Sequence, residues 1–337
     1  MTGLERVRAA LAGRESDRLP ALPILHSGLP PLFNVPLGAY YSDAKRMADV
    51  IIQGHQTFGY DGVQLSLGVT GEAQALGADI DQPSDAGPIL RQNLLANVFD
   101  AAMDTACAIH PLRKIDASRH GRMPLYYEAV SRTVDSIGAA AFVLGLLRGP
   151  LLTASQLCGV ESLLIAMIEC PDRVQEVLDF TTDLAIRLAG WLINSGAHGL
   201  MLGEATCSPN FISPRMYREL VQPRHQKLIK ACKNQGWDVV GLHICGNITP
   251  IFDDIMRTGV DIIDVDYQVP GKLAIQIAAN RVTLRGNLDP SSVFRFGTPE
   301  EIHRATRDLL KTTKGCAKWI LSSGCDIPPG TPEENIR

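Results

Sequence analysis

The stretch Asp238–Cys245 (DVVGLHIC) decides the fold, because it is a short apolar run that ends in a histidine and a cysteine. It is too short for an independent helix and too continuously apolar for a strand with one solvated face. It therefore predicts a strand buried on both faces, as in a parallel sheet. Seven further runs of this kind are Leu19–His26, Asp61–Leu67, Ala140–Leu147, His198–Gly203, Asp261–Asp266, Arg281–Gly286 and Lys318–Ser323.

Helical patterns lie between these runs. Pro171–Ser195 begins with Pro and Asp and repeats apolar residues every three or four positions, and Ser213–Gln235 is similar, with Pro223 expected to break or kink it. Thr298–Lys314 begins with a threonine suited to the N-cap and two acids in the first turn. An α/β chain in which strand and helix alternate eight times predicts a closed (β/α)8 TIM-type barrel. A doubly wound open sheet is the alternative, but no GxGxxG motif follows a strand to support it.

Residues from about 70 to 138 are too many for one connection between a strand and a helix. We expect a helical insertion after the second strand, with the irregular loop GADIDQPSDAGPI (residues 77–89) inside it. No linker marks a second domain. Residues 1–337 are therefore expected to form a single barrel domain.

Composition and charge narrow the function classes. With 45% hydrophobic and 20% charged residues, the chain has ample material for a core and is not mostly disordered. The net charge of −4 argues against nucleic acid as a partner and against a positively charged membrane anchor.

The first 20 residues predict a charged amphipathic helix, not a signal peptide. The most apolar stretch, Ile137–Leu157, is interrupted by Arg148 and Pro150. Eight cysteines are too few for a disulfide scaffold, so we expect reduced thiols and a cytoplasmic location.

Polar side chains are concentrated where the predicted strands end. In a (β/α)8 barrel, the carboxyl ends of the strands and the loops after them carry the active site. The residues found there are His26, Gly28, Glu204, His243, Cys245, Asp264, Asp266, Asn287, Asp289 and Cys325.

His243 and Cys245 are the most specific candidate pair of metal ligands, because residues two apart on a strand point to the same face. Cys325 lies at the end of another strand and is the natural third ligand of a shared ion. A Cys2His set would leave one position of a zinc ion open, which is typical of a catalytic site. The alternative is that the H-x-C pair is structural, since free cysteines are often simply buried. The six other cysteines are expected to be mostly structural.

Glu204 is expected either to cap the following segment or to face the barrel mouth, where it could hold the fourth zinc position. Asp264 and Asp266 share a face, and either is suited to orient a ligand or a histidine, or to cap a helix. His26 is more typically a satisfied polar residue than a ligand. No constellation surrounds the other histidines, which are His55, His110, His120, His198, His225 and His303.

Two motifs resemble the zinc motif of the corrinoid-dependent methyltransferases within the uroporphyrinogen decarboxylase superfamily. They are His243–Pro250 (HICGNITP) and Ser323–Pro328 (SGCDIP). The resemblance extends over nearly the whole chain. It includes Glu72–Gly77 (EAQALG), the Ser-Pro pairs at 208–209 and 213–214, Asp266, and Gly286–Pro290 (GNLDP).

The resemblance implies a (β/α)8 barrel that moves a methyl group from a methylcobamide to a thiol such as coenzyme M or homocysteine, in one-carbon metabolism. It implies that His243, Cys245 and Cys325 bind Zn2+. We expect Glu204 and Asp266 to be catalytic. The residues expected to contact the substrate or the corrinoid are His26, Gly28, Glu72, Asp264, Asn287 and Asp289. There is no D-x-H-x-x-G corrinoid motif, so a separate corrinoid protein or free methylcobalamin is expected to bring the methyl group.

Alternatives within the same superfamily remain open. One is a corrinoid-dependent demethylase or a transferase to tetrahydrofolate. Another is a porphyrinogen-type decarboxylase, which fits less well because residues 19–32 (LPALPILHSGLPPL) contain no arginine to hold substrate carboxylates. The chain ends at Arg337, where relatives continue into a last helix, so either that helix is missing or the barrel closes differently.

Overall fold

A computed structural model describes all 337 residues. The strands are β1 (Gly62–Leu65), β2 (Ile80–Asp81), β3 (Ile89–Leu90), β4 (Phe142–Arg148), β5 (Gly199–Gly203), β6 (Val240–His243), β7 (Ile262–Val265), β8 (Thr283–Leu288) and β9 (Trp319–Ser323). The α-helices are α1 (Gly3–Leu11), α2 (Leu29–Leu32), α3 (Leu37–Tyr40), α4 (Ala44–Phe58), α5 (Gly71–Ala75), α6 (Thr105–Arg113), α7 (Met123–Ile137), α8 (Pro150–Cys158), α9 (Val160–Glu169), α10 (Pro171–Leu192), α11 (Pro214–Met216), α12 (Gln222–Asn234), α13 (Phe252–Met256), α14 (Gly271–Ala278) and α15 (Pro299–Thr312). Short 3₁₀ turns lie at Ala117–Arg119, Ile193–Ser195, Ala205–Cys207, Thr249–Ile251 and Glu333–Asn335, and π-helical turns at Tyr217–Val221 and Pro290–Arg295.

Seven strands form one parallel sheet in the order β1-β4-β5-β6-β7-β8-β9. Apart from the small hairpin of β2 and β3, each strand pairs with the next one along the chain. A doubly wound sheet would reverse its strand order at a switch point, so that alternative is excluded. The predicted (β/α)8 TIM-type fold is confirmed, and the strand ends that carry the candidate residues meet at one mouth.

The segment that closes the sheet differs from its predicted form. Leu19–His26 lies between β9 and β1, but only Ala21 forms a bridge, to β9. On the other side, the amide of Asp61 donates to the carbonyl oxygen of Ala21 at 2.6 Å. Pro20 and Pro23 have no N–H groups, so they cannot donate to a ladder of hydrogen bonds, although the carbonyl oxygen of Pro20 accepts one from the amide of Leu321 at 2.8 Å. The prediction of a regular first strand is therefore wrong, although the segment occupies its place.

Between β1 and β4 the chain forms α5, the antiparallel pair β2 and β3, α6 and α7. Residues 77–89, expected as an irregular loop, include β2 and the start of β3, which pair in register Ile80 to Leu90. Next to this pair, Arg91 forms ion pairs with Asp79 and Asp81. Helix α7 packs along α4 on the outside of the barrel.

The helices begin and end where the local sequence favours it. Thr298 caps α15 by accepting a hydrogen bond from the amide of Glu301, whose side chain accepts one from the amide of Thr298. The predicted helix Ser213–Gln235 is broken by a π-helical turn just before Pro223, which agrees with the expected interruption. By length and composition, no single helix could cross a membrane; α8 and α9 pass that test only as a pair bent by 109°.

The amino-terminal end of the barrel is filled by α1. Val7 and Ala10 of this helix pack with Phe142 and Leu144 of β4 and with Met201 of β5 in one apolar cluster. This end of the barrel is therefore a packed core, and the opposite end remains for the polar residues.

A buried carboxylate fixes the chain at this closed end. Asp61 is 2% exposed and accepts hydrogen bonds from Arg6 at 3.0 Å, from Arg18 at 2.5 and 2.9 Å, and from the amide of Ala21 at 2.7 Å. Asp61 thus joins α1 and the closing segment to the start of β1.

We expect Asp61→Ala to lower the free energy of unfolding by about 2–3 kcal/mol, because it removes the buried carboxylate that accepts hydrogen bonds from Arg6, Arg18 and the amide of Ala21. Asp17→Ala is a matched control, since Asp17 also binds Arg6 but is 46% exposed; it should cost no more than about 1 kcal/mol. Urea denaturation measures both values. Equal losses in the two variants would contradict the role assigned to Asp61.

Candidate metal centre at the barrel mouth

Three predicted metal ligands meet at the mouth. His243 ends β6, Cys245 follows two residues later, and Cys325 lies two residues after the end of β9. Nε2 of His243 lies 3.3 Å from Sγ of Cys245 and 3.6 Å from Sγ of Cys325, and the two sulfur atoms are 3.9 Å apart. The fold thus brings together side chains that are 82 residues apart in the sequence.

These spacings match those of ligands around one zinc ion. With Zn–S of about 2.3 Å and Zn–N of about 2.0 Å, tetrahedral geometry places two sulfurs about 3.8 Å apart and a nitrogen about 3.5 Å from a sulfur. The cysteines are free, and their sulfur atoms are too far apart for a disulfide, whose S–S bond is about 2.05 Å long. Three such ligands leave one tetrahedral position for a fourth.

A carboxylate behind the cluster orients His243. Nδ1 of His243 donates to Asp264 at 2.9 Å, so Nε2 is the nitrogen that faces the two sulfurs and is available to a metal ion once deprotonated. Asp264 is 1% exposed and in register with Arg285 on β8, which donates to it at 2.7 and 2.6 Å. Arg285 also donates to Gln64 at 2.8 Å. A carboxylate in this position fixes the tautomer of a metal-binding imidazole.

Asp264 therefore lies behind a ligand and not at the surface of the cavity. Of the two roles expected for it, contact with the substrate and orientation of a histidine, its hydrogen bonds correspond to the second. Its lone pairs are directed at His243 and Arg285, which leaves no free oxygen for a substrate group.

The three clustered side chains perturb one another's pKa values. Burial opposes a charge on His243, but the hydrogen bonds to Asp264 and Cys325 outweigh it and raise the pKa of His243 to about 10. The hydrogen bond with Cys325 lowers the pKa of Cys245, and the same contact raises the pKa of Cys325. Protons and a metal ion consequently compete for the same three atoms.

Asp266 stabilises the loop that follows Cys245. Its two carboxylate oxygens accept hydrogen bonds from the amides of Gly246 at 2.9 Å and Gln268 at 3.0 Å. Gly246 has a φ of +84°, a conformation that favours glycine. This placement differs from the predicted catalytic role, because backbone amides already occupy the carboxylate of Asp266.

Glu204 binds groups other than the clustered ligands. Its carboxylate is fully buried and accepts hydrogen bonds from the amides of Leu151 at 3.0 Å and Leu152 at 2.8 Å, in the first turn of α8. His225 on α12 lies 3.0 Å from the same carboxylate and 3.1 Å from the hydroxyl of Tyr217. Glu204 thus caps α8, which precedes it in the chain, and its side chain does not cap the following turn Ala205–Cys207 as one of the expected alternatives had it. His225, for which no constellation was expected, belongs to this network.

His26 and Gly28 have different surroundings. Nδ1 of His26 lies 3.0 Å from the carboxylate of Asp326, while its buried Nε2 has no hydrogen-bond partner and the residue lines the cavity. Gly28 lies against the backbone of Ile327, where a Cβ atom would collide with the carbonyl oxygen. Gly28 therefore permits a close backbone approach, which differs from its predicted contact with substrate.

The remaining predicted contact residues lie outside the cavity. Glu72 is buried and accepts a hydrogen bond from the amide of Arg148 at 2.8 Å, and burial raises the pKa of its carboxyl group. Asn287 donates to the carbonyl oxygen of Val269 at 2.7 Å. Asp289 caps the π-helical turn Pro290–Arg295. These contacts stabilise loops, in contrast to the predicted contacts with substrate or corrinoid.

A cavity of about 240 Å³ opens beside the clustered ligands. This volume is below the range of about 300–1,000 Å³ that is usual for drug-sized ligands, so the cavity suits a small molecule. Its lining residues are Ile24, His26, Tyr41, Gln64, Ser66, Gly68, Val69, Leu146, Arg148, Leu152, Gly203, Glu204, Ala205, His243, Cys245, Cys325 and Asp326.

Sequence reasoning missed Arg285, Gln64 and Asp326 at this site. A signal for Arg285 was present, because an arginine in the middle of a buried strand requires a carboxylate partner. Asp326 follows a predicted ligand directly, but its pairing with His26 depends on closure of the barrel.

Comparisons with known proteins agree with this geometry. Residues 2–337 match the family described as Uroporphyrinogen decarboxylase (URO-D). A Methanosarcina acetivorans protein named Methylcobamide:CoM methyltransferase MtbA is 28% identical over 341 residues, covering 100% of this chain and 96% of the relative. A Prochlorococcus marinus Uroporphyrinogen decarboxylase is 27% identical over 295 residues, covering 86% and 80%. A structure described as a methyltransferase from Methanosarcina mazei has a TM-score of 0.87 at 25% identity, covering 100% and 96%. The protein therefore belongs to the uroporphyrinogen decarboxylase (URO-D) family.

Proposed function

We propose that this protein transfers a methyl group from a methylcorrinoid to a small thiol, and that a zinc ion held by His243, Cys245 and Cys325 binds the thiol. The observation that carries the proposal is the triangle of one nitrogen and two sulfur atoms, 3.3 to 3.9 Å apart, beside a cavity of about 240 Å³. The relatives named Methylcobamide:CoM methyltransferase support the same reaction.

The donor set suits zinc on chemical grounds. Two thiolates and a neutral imidazole balance the charge of the ion, and Asp264 keeps the proton of His243 on Nδ1. When bound, zinc would supply a Lewis-acidic position that lowers the pKa of a thiol and holds it as a thiolate. The side chains of the cavity would position that thiolate and limit the access of water.

The transfer balances without a further reactant. The thiol releases its proton to solvent, its sulfur forms the new carbon–sulfur bond, and the carbon–cobalt bond breaks with its electron pair kept by cobalt. The products are a thioether and a Co(I) corrinoid. The corrinoid supplies the reactive bond, and the protein supplies the orientation of the thiolate.

The corrinoid would reach the mouth as a co-substrate, carried by a separate corrinoid protein or as free methylcobalamin. The absence of a D-x-H-x-x-G motif from the sequence supports this part of the proposal. A cytoplasmic location, where thiols stay reduced, is part of it as well.

A decarboxylase for a multiply carboxylated porphyrinogen fits the cavity poorly. Only one arginine, Arg148, lines the cavity. The volume of the cavity is too small for a tetrapyrrole. The likeness to uroporphyrinogen decarboxylases is therefore interpreted as common fold and ancestry.

We expect Cys325→Ala to reduce the bound zinc and the transfer of methyl groups together, because removing one of three protein ligands weakens the site by at least about 100-fold. Elemental analysis of the purified protein and the absorbance change of methylcobalamin measure the two effects. Cys107→Ala, which removes an exposed cysteine without neighbouring ligands, is the control. Full zinc occupancy with unchanged transfer in Cys325→Ala would refute the proposal.

Asp264→Asn should lower the affinity for zinc about 10–100-fold, because the imidazole loses its charged acceptor. Competition with a chromophoric chelator measures this affinity. Asp61→Asn removes a buried carboxylate at the other end of the barrel and controls for a general loss of stability. A similar decrease in both variants would speak against orientation of His243 by Asp264.

Zinc affinity should rise with pH. Binding requires a neutral imidazole and two thiolates, whereas the pKa of His243 is about 10 and that of Cys325 is raised. We expect the release of at least about two protons per zinc ion at pH 7.5. Calorimetry in buffers of different ionisation enthalpy counts these protons, and a release of none would be the contrary result.

A further inference from the structure

The loop that follows β1, residues 66–70, forms one wall of the cavity beside the clustered ligands. Ser66, Gly68 and Val69 of this loop line the cavity. Gly68 has a φ of +78°, a conformation that favours glycine, so the chain turns sharply there. Val69 is 44% exposed and therefore lies where the cavity meets the solvent. The position of the loop consequently sets the width of the cavity on this side.

Arg148 holds the loop from the end of β4. Its Nε donates to the carbonyl oxygen of Gly68 at 2.9 Å, and its Nη2 donates to the hydroxyl of Ser66 at 3.0 Å. The backbone amide of Arg148 also donates to the carboxyl group of Glu72, in the helix α5 that follows the loop, at 2.8 Å. The loop and the helix after it are thus both attached to β4.

A second arginine, Arg122 at the start of α7, binds the same loop from outside the cavity. Its guanidinium donates to the carbonyl oxygen of Leu67 at 3.2 Å, to the hydroxyl of Thr70 at 3.1 Å and to Oε1 of Gln74 in α5 at 2.7 Å. Its Cζ lies 6.0 Å from the centre of the Tyr41 ring. Tyr41 lines the cavity, whereas Arg122 does not. Arg122 therefore contacts the wall of the cavity and not its contents.

Arg122 is a buried cation with only neutral hydrogen-bond acceptors. It is 5% exposed and forms no ion pair. Burial lowers the pKa of Arg122 to about 10, which leaves the guanidinium charged at pH 7. Burying such a charge is unfavourable unless its donors are well satisfied, and here they are satisfied by one loop and the helix after it. A planar guanidinium with several donors fixes the geometry of that loop in a way that an apolar side chain would not.

We propose that Arg122 is a positioning residue that keeps loop 66–70 in place before any ligand binds, so that the acceptor thiol enters a preformed cavity. The inference rests on the proposed function and adds to it a residue that touches no reacting atom. A mobile loop would have to be ordered at each binding event, and the entropy lost in that step would weaken binding. The affinity for the thiol thus depends on a side chain outside the cavity.

The kinetic test uses methylcobalamin as donor and compares 2-mercaptoethanesulfonate with the neutral 2-mercaptoethanol. Arg122→Met should raise KM for both thiols about 5–30-fold and change kcat less than about threefold, because the loop is lost as a fixed wall and the reacting groups remain. Arg122→Lys should recover part of the loss, since an ammonium keeps donors but lacks the planar fork. Arg119→Met removes an arginine that is 71% exposed on the preceding turn, and this control should keep the wild-type KM.

Hydrogen exchange provides a readout independent of turnover. In the zinc-loaded protein without thiol or corrinoid, peptides covering residues 66–70 should exchange faster in Arg122→Met than in the wild type, with the zinc content unchanged. Thr70→Val removes one acceptor without changing charge, and it should shift KM and exchange in the same direction by a smaller factor.

Unchanged exchange and unchanged KM in Arg122→Met would overturn the inference. A rise in KM confined to the anionic thiol would also overturn it, because Arg122 would then act through its charge and not through the loop. The proposed function is tested separately. If calorimetry shows that the affinity for both thiols falls in Arg122→Met, but the wild-type protein methylates neither, the proposed function alone is refuted.

Discussion

The site depends on a buried ion pair between neighbouring strands. Asp264 and Arg285 are in register on β7 and β8, are nearly inaccessible to solvent and are joined by hydrogen bonds of 2.6 and 2.7 Å. An isolated ionised carboxylate buried this deeply would be strongly destabilised, so Asp264 depends on its ion pair with Arg285 to remain charged. That charge in turn fixes which nitrogen of His243 faces the two cysteines. The orientation of the metal-facing nitrogen is thus set by a chain of three residues, in which Arg285 binds Asp264 and Asp264 binds His243.

Closure of the barrel brings the third ligand into place. Asp326 directly follows Cys325, and its carboxylate accepts a hydrogen bond from the amide of His26 at 3.1 Å. The first segment of the chain thereby holds the loop that carries the last ligand. Because Pro20 and Pro23 lack N–H donors, side-chain acceptors such as Ser323 and Asp326 act together with backbone hydrogen bonds to close the barrel there.

Much of this arrangement follows from the sequence, and the reasons for the exceptions are physical. The pairing of His243 and Cys245 with Cys325 was predictable, because the carboxyl ends of parallel strands meet at one mouth. The partners of Glu204 were not, since His225 reaches it from a helix whose orientation is set by tertiary packing. The irregularity at residues 19–26 could have been read from the two prolines.

The most direct measurement is X-ray absorption spectroscopy at the zinc edge on the purified protein, before and after addition of a thiol. We expect the protein to supply two sulfur ligands at about 2.3 Å and one imidazole nitrogen at about 2.0 Å, and a third sulfur to appear once the thiol is added. A spectrum with one protein sulfur or none, or with no new sulfur on addition of the thiol, would contradict it.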